Sequence, residues 1–188
     1  MPELAYPFQT ERLVLRPLTL ADVDAVHAYQ SHPEVCRYVP FEPRSREVIE
    51  DRITNVLKSQ LTEEGKAITI GVELRDTGQL MGDFMLAWHS AEHRGAEIGW
   101  AFHPDYQGKG YATEAGAVVL GLAFETFDFH RVVARIDARN DASANLARRL
   151  GMRQEAHLRE NEWFKGEWSD ELDFAILAQE WRGSRSQS

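Results

Sequence analysis

The sequence has little cysteine, no long apolar run and no excess of positive charge. Its single cysteine, Cys36, excludes an internal disulfide and any cysteine cluster that could bind a metal. No apolar run approaches the roughly 20 residues of a membrane-spanning helix, and the N-terminus lacks a basic region followed by an apolar one. The 30 acidic residues outnumber the 21 basic ones, which opposes binding to nucleic acid or an anionic membrane. We therefore expect a cytoplasmic protein that uses no metal and binds neither nucleic acid nor membrane.

The chain has no internal repeat and no low-complexity linker, so its 188 residues fit one domain. We expect this domain at 8–181 and a disordered tail at 182–188. Periodicity and turn residues indicate a mixed α/β (α+β) domain built on one twisted sheet with about four helices. The predicted elements are a strand at 12–18, helices at 19–30 and 45–61, two strands joined by a turn at 75–78, a strand at 96–102, a helix at 112–127, a strand at 131–137, a helix from 141 to Gly151, and a hairpin that turns at Gly166.

The segment "QGKGYA" places two glycines directly before a predicted helix. Gly108 and Gly110 can adopt positive φ and let the backbone approach a ligand, and the helix that follows presents unpaired amides. Gln107 and Lys109 could add side-chain contacts to a phosphate. A nucleoside-triphosphate loop is excluded because glycine, not serine or threonine, follows Lys109. The spacing alone leaves two interpretations, an anion site and an ordinary turn.

Four segments resemble one known family. The stretch "EIGWAFHPDYQGKGYATEA" is similar to the acyl-CoA signature of the GCN5-related N-acetyltransferases (GNAT family), with Gln107, Gly110 and Ala112 at the motif positions. The stretch "NDASANLARRLGM" resembles the second motif of this family. The stretches "TERLVLRPLTLAD" and "LRENEWFKGEWSDELDFAIL" are similar to the branch that contains ribosomal-protein and small-molecule N-acetyltransferases. The resemblance covers nearly the whole chain, in order.

The resemblance implies a single GNAT-like domain whose mostly antiparallel sheet splays between its fourth and fifth strands. Acetyl-CoA, as co-substrate, would lie in the gap. Its pantetheine would pair with one strand edge, and its pyrophosphate would bind the glycine loop. The residues that the resemblance places at the cofactor are Trp100, Ala101, Phe102, Gln107, Gly108, Lys109, Gly110, Tyr111, Ala112, Asn140 and Asn145.

Acetyl transfer requires a base that takes the proton of the amine and a donor to the departing thiolate. We expect Glu97 to be the base, because it starts the fourth strand and the family often has a carboxylate there. The alternative is that Glu97 faces solvent and another residue acts as the base. The other candidates for the base are Glu160, Glu162, Asp170, His89 and His93.

The expected donor is Ser143. Many family members have a tyrosine seven residues after the motif asparagine, but this chain has Ala147 there, so a tyrosine acid at that site is excluded. In the branch that this chain resembles, the serine three residues after Asn140 is offered for the role. The other interpretation of Ser143 is a helix N-terminal residue that bonds the local backbone.

The resemblance implies an acetyl-CoA-dependent N-acetyltransferase with a small-molecule amine as acceptor. A peptide N-terminus is the alternative acceptor, and an acyl-CoA-binding regulatory module without turnover is the alternative function. A homodimer is a further expectation from this branch. The acidic residues of the last hairpin would favour a cationic acceptor or form a solvated face; they are Glu160, Glu162, Glu167, Asp170 and Glu171.

Overall fold

The computed structural model describes residues 2–185, which form one eight-stranded sheet with helices on both faces. The strands are β1 Phe8–Gln9, β2 Leu13–Arg16, β3 Ala67–Leu74, β4 Leu80–Ser90, β5 Gly95–Phe102, β6 Arg131–Asp137, β7 Arg153–Phe164 and β8 Glu167–Leu177. The α-helices are α1 Val23–Gln30, α2 Pro33–Cys36, α3 Arg46–Asp51, α4 Tyr111–Gly121, α5 Asp141–Arg149 and α6 Ala178–Arg185. Short π-helical turns extend α3 over Arg52–Val56 and α4 over Leu122–Thr126.

The sheet order is β1-β2-β3-β4-β5-β6-β8-β7, and every neighbouring pair is antiparallel except β5 and β6. The parallel pairing of β5 with β6 covers only three residue pairs and ends at Glu97 opposite Val133. Beyond that point β5 stays paired with β4 as far as Phe102, and β6 stays paired with β8 as far as Asp137. The two strands, which are the fourth and fifth of the predicted strands, therefore part, and the predicted splay is confirmed.

Two apolar clusters cover the two faces of the sheet. Successive strand residues point to opposite faces, so Phe84 and Phe102 pack under α4 and α5, whereas Ala101 faces α1 and α3. Helix α4 lies close to its neighbours because Gly116 has no side chain: a Cβ there would lie 2.8 Å from Leu150 Cδ1. This close packing holds the middle of α4 against β4 and the C-terminal end of α5.

The helix predicted at 45–61 is shorter than expected. Ser45 caps it as predicted, with its Oγ accepting from the N–H of Val48, but helical structure ends at Val56 and the next residue, Leu57, is extended. The chain then runs beside β3, where Lys58 accepts a backbone bond from Thr69, and it buries Leu61 in the larger core. Tertiary burial overrides the helical periodicity of this segment.

Three short elements were not predicted: β1, α2 and α6. Helix α6 extends to Arg185 and so enters the range expected to be a disordered tail, of which 186–188 lie outside the described residues. The helix is anchored by Trp181, which packs against Phe124 with ring centroids 6.1 Å apart. Glu180 contributes a second anchor by accepting from the N–H of Leu177 at 2.8 Å.

Candidate active site

The gap between β5 and β6 opens into two cavities. The loop cavity, of about 1040 Å³, is bordered by the glycine loop, the first turn of α4 and the N-terminus of α5. The hairpin cavity, of about 870 Å³, is bordered by β5, β6, the β7–β8 hairpin and the segment around α3. Both cavities are lined by Tyr38, Val39, Trp100, Ala101, Asn140 and Ser143. The two cavities therefore meet where the strands part.

The glycine loop adopts the left-handed conformation that its sequence indicates. Gly108 has φ 73° and Gly110 has φ 82°, and Gly110 is the N-cap of α4. An added Cβ at Gly108 would meet no atom within 4 Å, so this face of the loop is open. The first amides of α4 have no intrahelical partner and lie at the positive end of the helix dipole. The loop with this 11-residue helix can hold an anion.

Arg12, which is close to the N-terminus of the chain, contacts this loop and the first turn of α4. Arg12 donates to Glu114 Oε2 from Nε at 2.7 Å and to the Lys109 carbonyl from Nη1 at 3.2 Å, and its guanidinium lies 4.7 Å from the Tyr111 ring centroid. Thr10 Oγ1 donates to the same carboxylate at 2.5 Å. Burial tends to raise the pKa of Glu114, but these hydrogen bonds outweigh burial and lower it. No local pattern indicates this contact, because Arg12 lies in a predicted strand.

The other predicted loop residues divide into two groups. Tyr111 and Ala112 line the loop cavity together with Gln107, whose Nε2 donates to the Phe102 carbonyl at 3.3 Å and ties the loop to the end of β5. The Lys109 side chain does not contribute to the lining, and its ammonium lies 5.5 Å from the Tyr106 ring centroid.

The N-terminus of α5 contacts β5 across the gap. Asn140 caps the helix, with its Oδ1 accepting from the N–H of Ser143 at 3.0 Å. Ser143 Oγ accepts from Trp100 Nε1 at 3.1 Å, so the serine hydrogen remains available for another acceptor. Asn145 also lines the loop cavity, and its Oδ1 accepts from Arg148. The structure thus brings together the predicted cofactor residues of β5 and α5.

Carboxylates of the hairpin cavity gather near the last paired residues of β5 and β6. Glu97 forms an ion pair with Arg135 of β6. Glu171 of β8 lies in the same cavity, and burial followed by the charge of Asp173 raises its pKa. The sequence analysis placed Glu171 among the acidic residues that would favour a cationic acceptor or form a solvated face, and did not name it as a base. A signal was present in the alternation of "SDELDF", which places Glu171 and Asp173 on one side of β8.

The alternative candidates for the base differ in whether they line one of the two cavities. Glu162 and Asp170 line the hairpin cavity, and Asp170 already binds His157 at 2.7 Å and the N–H of Glu160 at 2.8 Å. The remaining candidates contribute to neither cavity within residues 2–185; they are Glu160, His89 and His93.

A buried carboxylate that sequence reasoning missed lies beside Ala101. Asp83 of β4 is 8% exposed, and its Oδ2 accepts from Tyr29 Oη at 2.5 Å and from Gln30 Nε2 at 3.2 Å. Burial raises the pKa of Asp83. This side chain lines the hairpin cavity and shapes its inner wall.

Within residues 2–185, no group of three or more histidine, cysteine, aspartate or glutamate side chains could hold a metal ion. In the same range, no helix combines the length and the hydropathy needed to cross a membrane.

Comparison with known proteins identifies the fold and the class of enzyme. Residues 12–153 match the family model of the acetyltransferase (GNAT) domain. The chain belongs to the GNAT family. It is 34% identical over 172 residues to the uncharacterized N-acetyltransferase YnaD of Bacillus subtilis (strain 168), a match covering 92% of this chain and 97% of YnaD. The resemblance found in the sequence is therefore confirmed, and so is an acyltransferase of the N-acetyltransferase class.

Solved structures agree with this assignment to the GNAT family. The crystal structure of a GNAT acetyltransferase from Bacillus anthracis superposes with a TM-score of 0.81 at 29% identity, over 93% of this chain and 99% of that one. A spermidine N-acetyltransferase from Vibrio cholerae, in complex with CoA and spermine, superposes with a TM-score of 0.79 at 23% identity, over 92% of this chain and 99% of that one. At this identity the second likeness shows the fold.

Proposed function

We propose that this GNAT enzyme transfers the acetyl group of acetyl-CoA to a primary amine of a small molecule by direct attack in a ternary complex. The observation that carries the proposal is the meeting of two cavities at the open end of β5. One cavity offers amides for a diphosphate, and the other offers carboxylates for an amine. A thioester held between them would be accessible from the second cavity.

The cofactor would lie along the free edge of β5. Trp100, Ala101 and Phe102 lie beyond the last residue pair with β6, so their gap-facing backbone groups are available to the pantetheine amides. The diphosphate would contact the loop 107–112, and Asn140 and Asn145 would approach the pantetheine arm. The V. cholerae neighbour of the same fold is in complex with CoA and spermine, which supports a CoA co-substrate and a small amine acceptor.

The chemistry requires a proton to leave the amine and an electron pair to reach the sulfur. In the proposal, Glu97 takes the proton of the ammonium, directly or through a water, while Arg135 holds its carboxylate at the gap. The nitrogen lone pair attacks the thioester carbon, the C–S bond breaks, and the second proton of the attacking nitrogen passes to the departing thiolate, which leaves as the thiol of CoA. Ser143 donates its free hydroxyl hydrogen to the sulfur, because its oxygen already accepts from Trp100.

The first test measures thiol release with a glycine variant. The wild-type protein should release CoA from acetyl-CoA in the presence of a suitable small amine. Gly110→Val should raise the Kd for acetyl-CoA about 10- to 100-fold, because a β-branched residue in the left-handed conformation costs about 1–3 kcal/mol and moves the loop amides. The matched control is Gly78→Val, which introduces the same strain (φ 70°) into the β3–β4 turn. Equal Kd values for both variants would contradict the assignment of the loop.

The second test concerns Ser143. Ser143→Ala should lower kcat about 10-fold, since one hydrogen bond to a charged group contributes about 1.5–3 kcal/mol and a water replaces part of it. The Kd for acetyl-CoA should change little, because Asn140 still caps α5. Single-turnover kinetics and calorimetric titration give these two quantities separately. If turnover and affinity both equal the wild-type values, Ser143 has no role.

A further inference from the structure

The hairpin cavity is lined by side chains of both charges. Glu97, Glu162 and Glu171 line it from β5 and the β7–β8 hairpin, and Arg135 is neutralised by its ion pair with Glu97. Arg44 and Arg52 line it from the segment around α3. An acceptor that fills this cavity would contact both groups of side chains.

The two arginines line the same cavity, where their positive charges oppose each other. Arg44 is half-buried, and burial followed by the charge of Arg52 lowers its pKa. One N–H of Arg44 donates to Gln30 Oε1 at 2.5 Å, and its guanidinium lies 3.7 Å from the centroid of Phe41. These contacts fix the plane of the guanidinium and leave further N–H groups without an anionic partner.

No carboxylate pairs with either arginine in the described part of the chain. The charge of Asp83 acts on both arginines, but its Oδ2 accepts from Tyr29 and Gln30, and it forms no ion pair with Arg44 or Arg52 within residues 2–185. The guanidinium of Arg52 has no hydrogen-bond partner in the same range. Two guanidinium groups that line one cavity and form no ion pair with a protein carboxylate make a site suited to a carboxylate or a phosphate.

Local backbone structure presents Arg52 to the cavity. Arg52 is the first residue of the π-helical turn Arg52–Val56, which interrupts the regular winding that began at Ser45. Such single turns are frequent at functional sites, because they redirect side chains away from the positions of a regular helix. Arg46 lies on the same helix but outside the cavity, where it pairs with Asp24.

We propose that the acceptor carries an anionic group in addition to its amine, and that Arg44 and Arg52 bind this group while the amine reaches Glu97. The inference rests on the proposed function and narrows its substrate class to amino acids and amino phosphates. A polyamine would place a second cation beside two arginines, which costs electrostatic energy. The amine is then selected by its charge pattern and not by positive charge alone.

The test compares acceptors that differ only in the anionic group. Thiol release is measured for amino acids against their amides, for phosphoethanolamine against ethanolamine, and for spermidine. The anionic member of a pair should have a kcat/KM about 10- to 100-fold higher, the value expected for hydrogen bonds to a charged group. The comparison of amino acids with their amides tests a carboxylate, and the comparison of phosphoethanolamine with ethanolamine tests a phosphate, so the two pairs show which anionic group is bound.

The higher kcat/KM for anionic acceptors should depend on Arg52. Arg52→Gln should remove it by raising KM for the anionic acceptor, whereas Arg52→Lys should keep part of it because charge is retained without the planar fork. Arg46→Gln, on the same helix and outside the cavity, should keep the wild-type preference. Arg52 is the primary variant, since Arg44 contacts Gln30 and Phe41 and its loss could disturb folding.

The outcomes separate the inference from the proposed function. If spermidine or the uncharged amides are the better acceptors, the inference is wrong and the acetyltransferase proposal stands. If no acceptor releases thiol, calorimetric binding of the same amines to the CoA-loaded protein decides: binding that Arg52→Gln abolishes supports the anion site, and absent binding overturns it. Thiol release that is equal for anionic and neutral members and unaffected by Arg52→Gln also overturns it.

Discussion

Replacing Glu97 by glutamine is expected to lower kcat about 100- to 10,000-fold, the range that a positioned general base contributes. The carboxylate belongs to the last residue of β5 that pairs with β6, and it lines the hairpin cavity at the point where the strands part. Glutamine keeps the size and the contact with Arg135 but cannot accept a proton. The Kd for acetyl-CoA should stay near the wild-type value, because the glycine loop and the free edge of β5 are unchanged.

Two further variants make this test specific. Glu92→Gln, an exposed residue in the turn before β5, is the matched control and should leave kcat unchanged. Glu171→Gln removes another carboxylate of the cavity, whose pKa is raised by burial. If Glu171→Gln causes the large loss of kcat and Glu97→Gln does not, the base has been assigned to the wrong carboxylate.

Truncation of Phe84 to alanine is expected to lower the free energy of unfolding by about 3–5 kcal/mol. Phe84 is fully buried, and its ring centroid lies 5.8 Å from that of Trp100 and 5.6 Å from that of Phe102. It also fills the space beside Gly116, where an added Cβ would be 3.2 Å from its Cζ. The cavity left by the truncation lies between the sheet and α4. Such a loss is a large share of the roughly 5–15 kcal/mol that stabilises a typical domain.

Urea unfolding followed by tryptophan fluorescence measures this loss, with the midpoint and the slope reported separately. Val56→Ala is the control, because Val56 is 48% exposed and its truncation leaves no internal cavity. The same Phe84→Ala protein should bind acetyl-CoA more weakly, since Trp100 loses a packing partner beneath its hydrogen bond to Ser143. A change in unfolding free energy as small as that of Val56→Ala would contradict this account of the core.

Local sequence signals predicted much of the fold. The turn at Gly78, the cap at Ser45 and the stop at Gly151 are all found, because each depends on a glycine at positive φ or on one capping side chain. The glycine loop before α4 is found for the same reason. The resemblance to the GNAT family added the parting of two strands, which no periodicity could have indicated.

Other features could not be derived from local patterns. The segment 57–61 has helical spacing, yet it runs along β3 because Leu61 enters the core there. Arg12 and Glu114 are far apart in the chain, and their contact exists only because β2 lies beside the N-terminus of α4. From the sequence, Asp83 is simply a polar residue in a predicted strand. Only the tertiary structure shows that it is buried and accepts hydrogen bonds from Tyr29 and Gln30 of α1.

The sequence alone determined the order of the longer strands and helices, the left-handed turns and the helix start beside the loop, because these depend on residues a few positions apart. The tertiary structure decided which distant side chains share a cavity. The pairing of β5 with β6 ends at Glu97, and this end point places Glu97 and Glu171 in the same space as Arg44 and Arg52. The arrangement of charges in the hairpin cavity follows from the order of the strands in the sheet and from the residue at which β5 stops pairing with β6. No short stretch of residues encodes either feature.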